Sequence, residues 1–389
     1  MSTDLKYQRI LTRPQGSFFL FGPRGAGKSS WLRAMFPDAL YIDLHSERIF
    51  QDYLVNVEPF TALLDALPDG ARVIIDEIQR LPNLLNEVHR YIEKKKLKFA
   101  LSGSSARKLR SAGTNLLAGR ALRREMFPLT PEELQDDFDL ERVLTIGSIP
   151  LVWDAEDSRA VLDAYVQTYL REEIQAEALV RNLPGFARFL TIAALFHGQV
   201  LNASSLSRDA GVSRSSILNY LDILEDTLLA YRLQPFEGKL RVKEKRHPKL
   251  YWIDPGVARA ARRRTGSLVE EERGSLFEGW VASTLKAYGS YRKLFDEWNY
   301  WAPTESDDLE VDFLLWKNDQ CLAIEAKASS RWRPEYAKGL NALKNSWKDP
   351  RRLKRLVIYL GKDRMIFHDD IELLPVAHFI ARLADGALF

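Results

Sequence analysis

The hydrophobic pattern of the first third of the chain predicts a parallel sheet with helices on both faces. Short apolar runs at residues 17–21, 40–43, 72–77 and 98–104 are separated by segments of helix-forming composition. Continuous apolar runs of this kind are typical of buried parallel strands, because both faces of such a sheet are covered. The alternation of strands and helices favours the α/β class.

The middle of the chain has the apolar spacing of helices. Residues 158–180 carry apolar side chains three and four positions apart. These are Val161, Leu162, Tyr165, Val166, Tyr169 and Leu170. Residues 204–210 predict a short helix, Gly211 a turn, and Ser213 the N-cap of a second helix. That second helix turns four apolar side chains inward, those of Ile217, Tyr220, Leu221 and Leu224. This is helix-turn-helix patterning. The apolar strand at 229–233 and the basic run at 239–249 predict a wing.

The last third is predicted to hold a helix followed by a hairpin. The segment SLFEGWV begins a helix with Phe277, Val281 and Leu285 on one side. Residues 310–330 read as an amphipathic β-hairpin whose turn is 317–320. Side chains alternate along a strand, so residues two apart share one face of the sheet.

Composition fits a folded protein of the cytoplasm with two or three domains. A chain of 389 residues is too long for one ordinary core. The single cysteine, Cys321, excludes a disulfide framework and a cysteine-based metal site. No apolar run approaches the length that crosses a membrane.

The net charge of +3 is close to neutral, and the distribution of charge says more. Basic residues gather in two groups of the C-terminal half. The groups are Lys239, Arg241, Lys243, Lys245, Arg246, Lys249, Arg259, Arg262, Arg263 and Arg264, and then Arg351, Arg352, Lys354 and Arg355. Two interpretations stay open at this point: solvated surface, or a surface that faces phosphate groups.

A phosphate-binding motif follows the first apolar run. Gly22, Gly27, Lys28 and Ser29 match the spacing G-x-x-x-x-G-K-[ST]. Glycines allow backbone N–H groups to surround phosphate, and the next helix turns its positive end toward the anion. The predicted nucleotide-contacting residues are Gly22, Pro23, Arg24, Gly25, Ala26, Gly27, Lys28, Ser29, Ser30 and Asp76. Together they predict ATP binding with Mg²⁺ held by Ser29 and Asp76.

Three further residues are candidates for ATP hydrolysis. Asp76 and Glu77 end an apolar strand, so Glu77 is predicted to polarise the attacking water. Ser104, at the polar tip of the next strand, would sense the γ-phosphate. Arg120 would supply positive charge to the transition state, in its own chain or from a neighbouring subunit. For Ser104 and Arg120 the alternatives are an ordinary turn serine and an ordinary surface arginine.

The C-terminal hairpin carries charged groups in apolar surroundings. Asp312, Glu325 and Lys327 lie within apolar runs, where charge is costly unless it is paired or bound to metal. Asp312 and Glu325 would be metal ligands, and Lys327 would stand near the phosphoryl oxygens. Glu278 would add an acidic or water-orienting group. The alternative is that the whole set is structural.

Several segments together resemble a known family. LFGPRGAGKSS, VIIDEIQRLP, LSGSSARKL and LLAGRAL resemble the prokaryotic AAA-type ATP-binding proteins. SRSSILNYLDILEDT, HPKLYWIDPGVA, GSLFEGWV and EVDFLLWKNDQCLAIEAKAS resemble the C-terminal domain of unknown function that accompanies that ATPase. The resemblance implies an AAA-like core, a winged helix and a C-terminal fold similar to PD-(D/E)xK nucleases. Val311 stands where the usual proline precedes the strand aspartate.

The predicted architecture is an AAA-like ATPase domain at 1–150, a helical and winged-helix segment at 151–245, and a nuclease-like α/β domain at 246–389. The predicted function is ATP hydrolysis coupled to binding and to remodelling or processing of DNA, in a homo-oligomer that could form a ring. The DNA backbone contacts would come from Arg214, Lys239, Arg241, Lys243, Lys245 and Arg246. The alternatives are a nucleotide-controlled scaffold that recruits a protein partner, and a transcription regulator that uses the winged helix alone.

Overall fold

The computed structural model describes residues 5–104, 117–169, 182–238, 244–264, 266–304, 306, 308–367 and 369–389. The chain divides into two compact units. The first contains the described residues up to Leu129, together with Ile149–Asp154 and Ile223–Leu229. The second contains Thr130–Ser148, Ala155–Asp222 and Ala230–Phe389.

The described residues form fourteen strands and fifteen α-helices. The strands β1 to β14 are Ser17–Phe21, Leu40–Asp43, Arg72–Asp76, Lys98–Gly103, Ala121–Glu125, Gln199–Val200, Ala230–Leu233, Lys249–Trp252, Glu297–Trp301, Val311–Lys317, Gln320–Lys327, Arg352–Tyr359, Met365–Ile366 and Ile371–Pro375. The helices α1 to α15 are Lys28–Met35, Glu47–Val55, Glu58–Asp65, Leu84–Lys95, Pro131–Leu134, Leu140–Ile146, Pro150–Trp153, Ser158–Ala164, Leu183–Leu195, Ala203–Ala210, Arg214–Asp226, Pro255–Ala261, Glu270–Arg292, Lys338–Ser346 and Val376–Asp385.

The first unit is built on a parallel sheet. Within the described residues, its strands follow the order β2-β3-β4-β1-β5, and every pairing is parallel. Strand β4 therefore lies between β1 and β3. This order brings the C-terminal ends of β1, β3 and β4 to one edge of the sheet, where the sequence places its candidate nucleotide residues. The prediction of a parallel α/β sheet is confirmed.

Aromatic and aliphatic side chains fill both faces of this sheet. On one face, strand residues pack against α4; the buried set includes Phe19, Phe21, Val73, Ile75, Phe99, Leu101, Leu84, Leu85, Val88 and Tyr91. On the other face, Phe18 meets Trp31 of α1 edge to face, with ring centroids 6.4 Å apart. Each fully buried side chain of this size contributes roughly 1.5–3 kcal/mol of hydrophobic stabilisation. The packing fixes α1 directly behind the glycine-rich loop.

The second unit holds two sheets. The smaller is antiparallel, with the order β6-β8-β7. The larger has the order β13-β14-β12-β11-β10-β9. Its β9-β10-β11 portion is an antiparallel meander, and β11, β12 and β14 are parallel to one another. Helix α14 lies between β11 and β12 in the chain.

The helix-turn-helix pattern is confirmed as a local structure. Helix α10 ends at Gly211, which has a left-handed φ of 63°, a conformation that favours glycine. Ser213 caps α11, because its Oγ accepts a hydrogen bond of 3.1 Å from the backbone N–H of Ser216. The inward residues Ile217, Tyr220, Leu221 and Leu224 are all buried.

The predicted helix at 158–180 is described only in its first half. It consists of α8 and a π-helical turn at Tyr165–Tyr169, while residues 170–181 lie outside the described residues.

The C-terminal hairpin is present, but it is not amphipathic. Strands β10 and β11 pair in the register Phe313↔Ile324 and Lys317↔Gln320, so the turn falls where the sequence predicts it. Both strands are buried along almost their whole length, on both faces. The amphipathic interpretation is wrong because the hairpin occupies the centre of the larger sheet.

Strand β8 joins two predicted segments. The sequence-based boundary between residues 245 and 246 assigns β8 to the C-terminal domain. In the structure β8 pairs with β7 and β6, in the register Ala230↔Trp252 and Val200↔Lys249. Strand β8 is therefore not a strand of the larger sheet, but its Lys249 side chain contacts Asp312 on β10 of that sheet.

Candidate nucleotide site and carboxylate cluster

The glycine-rich loop runs from the end of β1 to the start of α1. Gly25 and Gly27 have φ of +73° and +88°, which a residue with a Cβ rarely adopts. The Lys28 side chain folds back over the loop. Its Nζ donates to the carbonyl oxygens of Gly22 at 2.7 Å and Pro23 at 3.1 Å. This places a buried ammonium against the glycine-rich loop at the start of α1, an arrangement that suits a phosphate chain.

Asp76 ends β3 and is almost fully buried. Its carboxylate accepts hydrogen bonds from the hydroxyls of Tyr41 and Ser102. Burial raises the pKa of Asp76, but hydrogen bonds from Ser102, Ser29 and Tyr41 and the charge of Lys28 outweigh it, so the net pKa is lowered. Asp76 is therefore ionised and lies next to Ser29, so the structure brings together the two predicted Mg²⁺ ligands.

Glu77 is held in an unusual backbone conformation. Its φ of 59° and ψ of 45° are left-handed, which costs a non-glycine residue about 1–2 kcal/mol. The His45 Nε2 lies 3.5 Å from one carboxylate oxygen, and the Gln79 amide donates to the other. Burial raises the pKa of Glu77, but the His45 hydrogen bond and the Lys28 charge lower it further than burial raises it. A strained, ionised carboxylate fits a group that acts on water.

Gln79 links Glu77 to the tip of β4. Its Nε2 also donates to the Ser104 Oγ at 3.2 Å. A Cβ on Gly103 would lie 2.4 Å from the Gln79 Oε1, so the glycine makes room for this amide. The predicted residue Ser104 is thus buried beside the acid pair. Sequence reasoning missed Gln79 and His45, because single polar residues after an apolar strand carry no recognisable spacing.

Arg120 lies at the opposite end of the sheet. It directly precedes β5, and β5 pairs with β1 in the parallel register Ser17↔Ala121. Five strand residues span about 16 Å, so Arg120 stands that far from the loop that follows Phe21. Its Nε donates to Glu93 at 2.5 Å. The prediction that Arg120 acts in its own chain is therefore wrong, and a role toward a neighbouring subunit stays a prediction.

The predicted acidic residues of the C-terminal half come together from three elements. Glu278 lies on α13, Asp312 on β10, and Glu325 and Lys327 on β11. The Lys327 Nζ is 2.6 Å from a Glu325 oxygen. One Asp312 oxygen accepts a hydrogen bond of 2.8 Å from the backbone N–H of Ala326.

Three carboxylates of the second unit lie close enough together to share one metal ion. Glu278, Glu310 and Asp312 each offer an oxygen atom, and these atoms all lie within 4.8 Å of one another. Glu310, which immediately precedes β10, was not predicted. Glu325, predicted as a ligand together with Asp312, does not belong to this group of three. We call Glu278, Glu310 and Asp312 the carboxylate cluster.

Lys249 lies at the centre of the carboxylate cluster. Its side chain is 1% exposed, and its Nζ is 2.7 Å from Glu310, 3.0 Å from Glu278 and 3.5 Å from Asp312. The Tyr251 hydroxyl donates to the same Glu278 oxygen at 2.6 Å. The interpretation of Lys249 as part of a basic wing is wrong, because the residue is buried against acids instead of exposed to solvent.

The pKa values of these buried and partly buried acids are shifted in opposite directions. Burial and then the charge of Asp312 raise the pKa of Glu278 to about 7 and that of Glu325 well above its usual range. Asp312 is also buried, but the charges of Lys327 and Lys249 and the Ala326 hydrogen bond lower its net pKa. Asp312 is thus ionised at neutral pH.

The basic tract does not form one continuous surface. Arg214 and Arg246 are exposed, and Lys245 is half-buried. Arg259 and Arg355 are buried, and Arg259 bonds to Glu272 at 2.8 Å. The predicted contacts Lys239, Arg241 and Lys243 lie outside the described residues. A phosphate-facing surface therefore includes at most part of this tract, since basic residues here also neutralise interior acids.

Matches to protein-family models divide the chain into three stretches. Residues 15–135 match an AAA domain. This part of the chain is similar to the AAA domains, which are P-loop ATPases. Residues 137–268 match a domain of unknown function (DUF8612), and residues 273–379 match another (DUF4143). The AAA match covers the loop, the acid pair and the β4 tip, so it includes every element of the described phosphate-binding geometry.

Similar proteins extend over most of the chain. An uncharacterized protein of Mycobacterium tuberculosis is 25% identical over 364 residues, which is 92% of this chain and 79% of the relative. One from Methanocaldococcus jannaschii is 22% identical and covers 68% of this chain and 67% of its own. The structure of a Walker-type ATPase of Pyrococcus abyssi is similar at 18% identity and a TM-score of 0.43, over 63% of this chain and 90% of that one. Among the described residues, no helix is long and apolar enough to cross a membrane.

Proposed function

We propose that this chain hydrolyses ATP and uses the cycle to bind and remodel or process DNA, with a C-terminal nuclease-like fold that serves binding. The observation that carries the proposal is the ionised pair Asp76 and Glu77 beside the Lys28 loop, in one chain with a helix-turn-helix whose second helix begins with exposed Arg214. The ATP half of the proposal rests on the acid pair and the loop, and the DNA half rests on the helix-turn-helix.

The ATP half of the proposal assigns a role to each residue of the loop and acid pair. Gly22–Gly27 and Lys28 would hold the phosphates. Ser29 and Asp76 would hold Mg²⁺, which neutralises phosphate charge when it is bound. Glu77 would accept the proton of the attacking water, and its lowered pKa keeps it ionised at neutral pH. Gln79 would transmit the state of the γ-phosphate between Ser104 and Glu77.

The DNA half rests on the order of elements in the second unit. The order α9, β6, α10, α11, β7 and β8, with β8 at the centre of the small sheet, supports a winged-helix assignment. Arg214 and Ser215 are exposed at the start of α11, the part of a recognition helix that approaches bases. Arg246 precedes β8, where a wing would contact phosphates. Lys245 would join it there.

The larger sheet supports a nuclease-like fold. One helix, α13, is followed by the meander β9-β10-β11, then α14, then β12 parallel to β11. Asp312 on the second strand and Glu325 with Lys327 on the third fit the order of the PD-(D/E)xK pattern. A fold can outlast the chemistry it evolved for. We propose that this domain binds DNA and does not cleave it.

The position of Arg120 supports the proposed oligomer. If this arginine acts on a nucleotide, that nucleotide belongs to a neighbouring copy, because its own loop is about 16 Å away. The proposal therefore includes a homo-oligomer in which Arg120 completes the site of the next subunit.

A second candidate function is a nucleotide-controlled scaffold for a protein partner. Its support is a group of exposed apolar side chains on α2, α3 and their connection. Leu54 is 53% exposed and Val55 84%, with Val57 and Leu63 also exposed. Contiguous exposed apolar surface is typical of protein interfaces. This candidate predicts that Lys28→Ala disrupts complex formation and that Asp312→Ala leaves DNA binding unchanged.

Salt-dependent DNA binding tests the proposal. Wild-type chain and the double variant Arg214→Glu/Arg246→Glu are titrated with duplex, single-stranded and branched DNA between 50 and 200 mM salt, the range in which phosphate contacts weaken strongly. The matched control is Arg48→Glu/Lys98→Glu, which reverses two exposed charges of the first unit. We expect the first variant to reduce the slope of log K against log salt by about 1.8, or about 0.9 for each lost phosphate contact. Binding that is absent, or insensitive to salt, would refute the DNA half of the proposal.

A further inference from the structure

A buried lysine enters the carboxylate cluster from another sheet. Lys249 and Tyr251 lie two residues apart on β8, so they project from the same face of that strand. Both side chains end at the cluster, where they contact Glu278. The backbone of β8 is fixed by pairing with β6 and β7. The lysine is therefore built into the fold and is not a mobile surface group.

We propose that the Lys249 ammonium takes the place of a divalent cation in the carboxylate cluster, so that the cluster binds no metal ion in the native chain. An ammonium has three N–H donors. Here three acid oxygens lie around it, at 2.7, 3.0 and 3.5 Å. Each donor has one carboxylate acceptor, so the cluster is satisfied without a further cation.

The surrounding contacts complete this arrangement. The other Asp312 oxygen is bonded by the Ala326 N–H, and Tyr251 donates to Glu278. Glu325, the remaining acid of the predicted nuclease set, is paired with Lys327 at 2.6 Å. A divalent ion would have to displace Lys249 or approach it closely, and like charges at such distances repel. Asp312 is buried and Glu278 is largely so, and a buried carboxylate without a cation is strongly destabilised, which explains why the fold supplies one.

The inference explains how a nuclease-like fold can retain its acids without cutting. Metal-dependent phosphodiester cleavage needs open coordination positions for water and phosphate. Lys249 fills the position among Glu278, Glu310 and Asp312 that such an ion would use, and Glu325 is held by Lys327. The inference concerns the second unit alone, so it holds or fails independently of ATP turnover and of DNA binding.

Manganese binding tests it directly. Mn²⁺ alone is titrated into full-length chain, without nucleotide, and free Mn²⁺ is followed by electron paramagnetic resonance. All proteins carry Asp76→Asn to remove the nucleotide-site ligand. We expect no stoichiometric site in this parent. Lys249→Met keeps most of the side-chain length and should gain one site per chain, of about 10⁻⁴ M or tighter, as expected for a carboxylate site. Adding Asp312→Asn should abolish the gain.

The control is Lys286→Met, a lysine of α13 whose Nζ lies 4.8 Å from the ring centroid of Tyr231. It should bind Mn²⁺ no better than the parent. An Asp312-dependent site in the parent would overturn the inference, as would a folded Lys249→Met chain that gains no site. If Lys249→Met fails to fold without metal, Mn²⁺ should restore its cooperative unfolding transition, and a failure of millimolar Mn²⁺ to do so also counts against the inference.

Discussion

The replacement Glu77→Gln isolates the hydrolytic step of the ATPase domain. Glutamine keeps the shape of the side chain and the hydrogen-bonding reach toward Gln79, but it cannot accept a proton from water. The carboxylate is ionised in the structure, because His45 and Lys28 lower its pKa further than burial raises it. The phosphate-binding loop and Lys28 are untouched. Binding of ATP should therefore survive while its hydrolysis is lost.

The size of the loss follows from the role assigned to Glu77. A positioned general base contributes about 10²–10⁴-fold to a rate. At 1.36 kcal/mol per factor of ten, this corresponds to roughly 2.7–5.5 kcal/mol of transition-state stabilisation. The left-handed backbone strain at Glu77 is common to both side chains, so it cancels in the comparison. We expect kcat to fall by this factor with ATP affinity unchanged.

Steady-state phosphate release and equilibrium binding of a fluorescent ATP analogue provide the two readouts. The matched control is Glu58→Gln, an exposed acid in the first turn of α3 in the same unit. It should leave both quantities unchanged. A Glu77→Gln chain that keeps more than a tenth of wild-type turnover would refute the assignment of Glu77 as the base, and a parallel loss of ATP binding would show that Glu77 holds the loop instead.

Two further predictions concern binding and stability. Lys28→Ala should weaken ATP binding by about 10- to 150-fold, since a hydrogen bond to a charged group contributes about 1.5–3 kcal/mol. The control Lys98→Ala changes an exposed lysine and should leave ATP binding unchanged. Isothermal titration calorimetry measures the ATP affinity of both variants. His197 is fully buried, and burial, followed by the charge of Arg262, lowers its pKa to about 3. The unfolded chain, with a pKa near 6.5, binds that proton first as pH falls. The contribution of neutral His197 to the free energy of unfolding should thus be fully present above about pH 6.5 and should fall by up to ~1.4 kcal/mol per pH unit toward pH 3. Urea unfolding measures this, and the free energy of unfolding of His197→Gln should fall less steeply with pH than that of wild type.

Local sequence spacing predicted those parts of the two sites that lie on continuous segments. The glycine-rich loop, the acids that end β3 and the hairpin turn at 317–320 each depend on neighbours within a few residues. The resemblance to a known fold supplied the long-range grouping of Glu278, Asp312, Glu325 and Lys327. In the structure Glu278 and Asp312 join Glu310, while Glu325 pairs with Lys327. Spacing alone leaves two interpretations of these acids open, a metal site and a structural set.

Lys249 shows where sequence reasoning fails. It bonds to residues 29, 61 and 63 positions away, on helix α13, just before β10 and on β10 itself. In the sequence it continues a run of basic residues, and such runs are usually solvated. The one local signal was its place at the start of the fully buried strand KLYW, where an unpaired charge is costly. Arg259 was misread for the same reason.

Arg120 was misplaced because β5 went unrecognised. That strand carries Arg123, Arg124 and Glu125 and lies at the edge of its sheet, mostly exposed or half-buried. Edge strands with charged side chains lack the apolar run that reveals central strands. With β5 known to be parallel to β1, a residue just before it must lie at the end of the sheet away from the nucleotide.

ATP turnover of the wild-type chain, measured with and without DNA at several salt concentrations, tests the central claim most directly. The claim is that DNA binding by the proposed DNA-binding elements is coupled to ATP hydrolysis by the P-loop unit. It predicts that duplex, single-stranded or branched DNA changes the turnover rate, that the change disappears as salt rises, and that Arg214→Glu/Arg246→Glu abolishes it. Identical turnover under all these conditions, with no salt-sensitive binding, would contradict the claim and favour the scaffold.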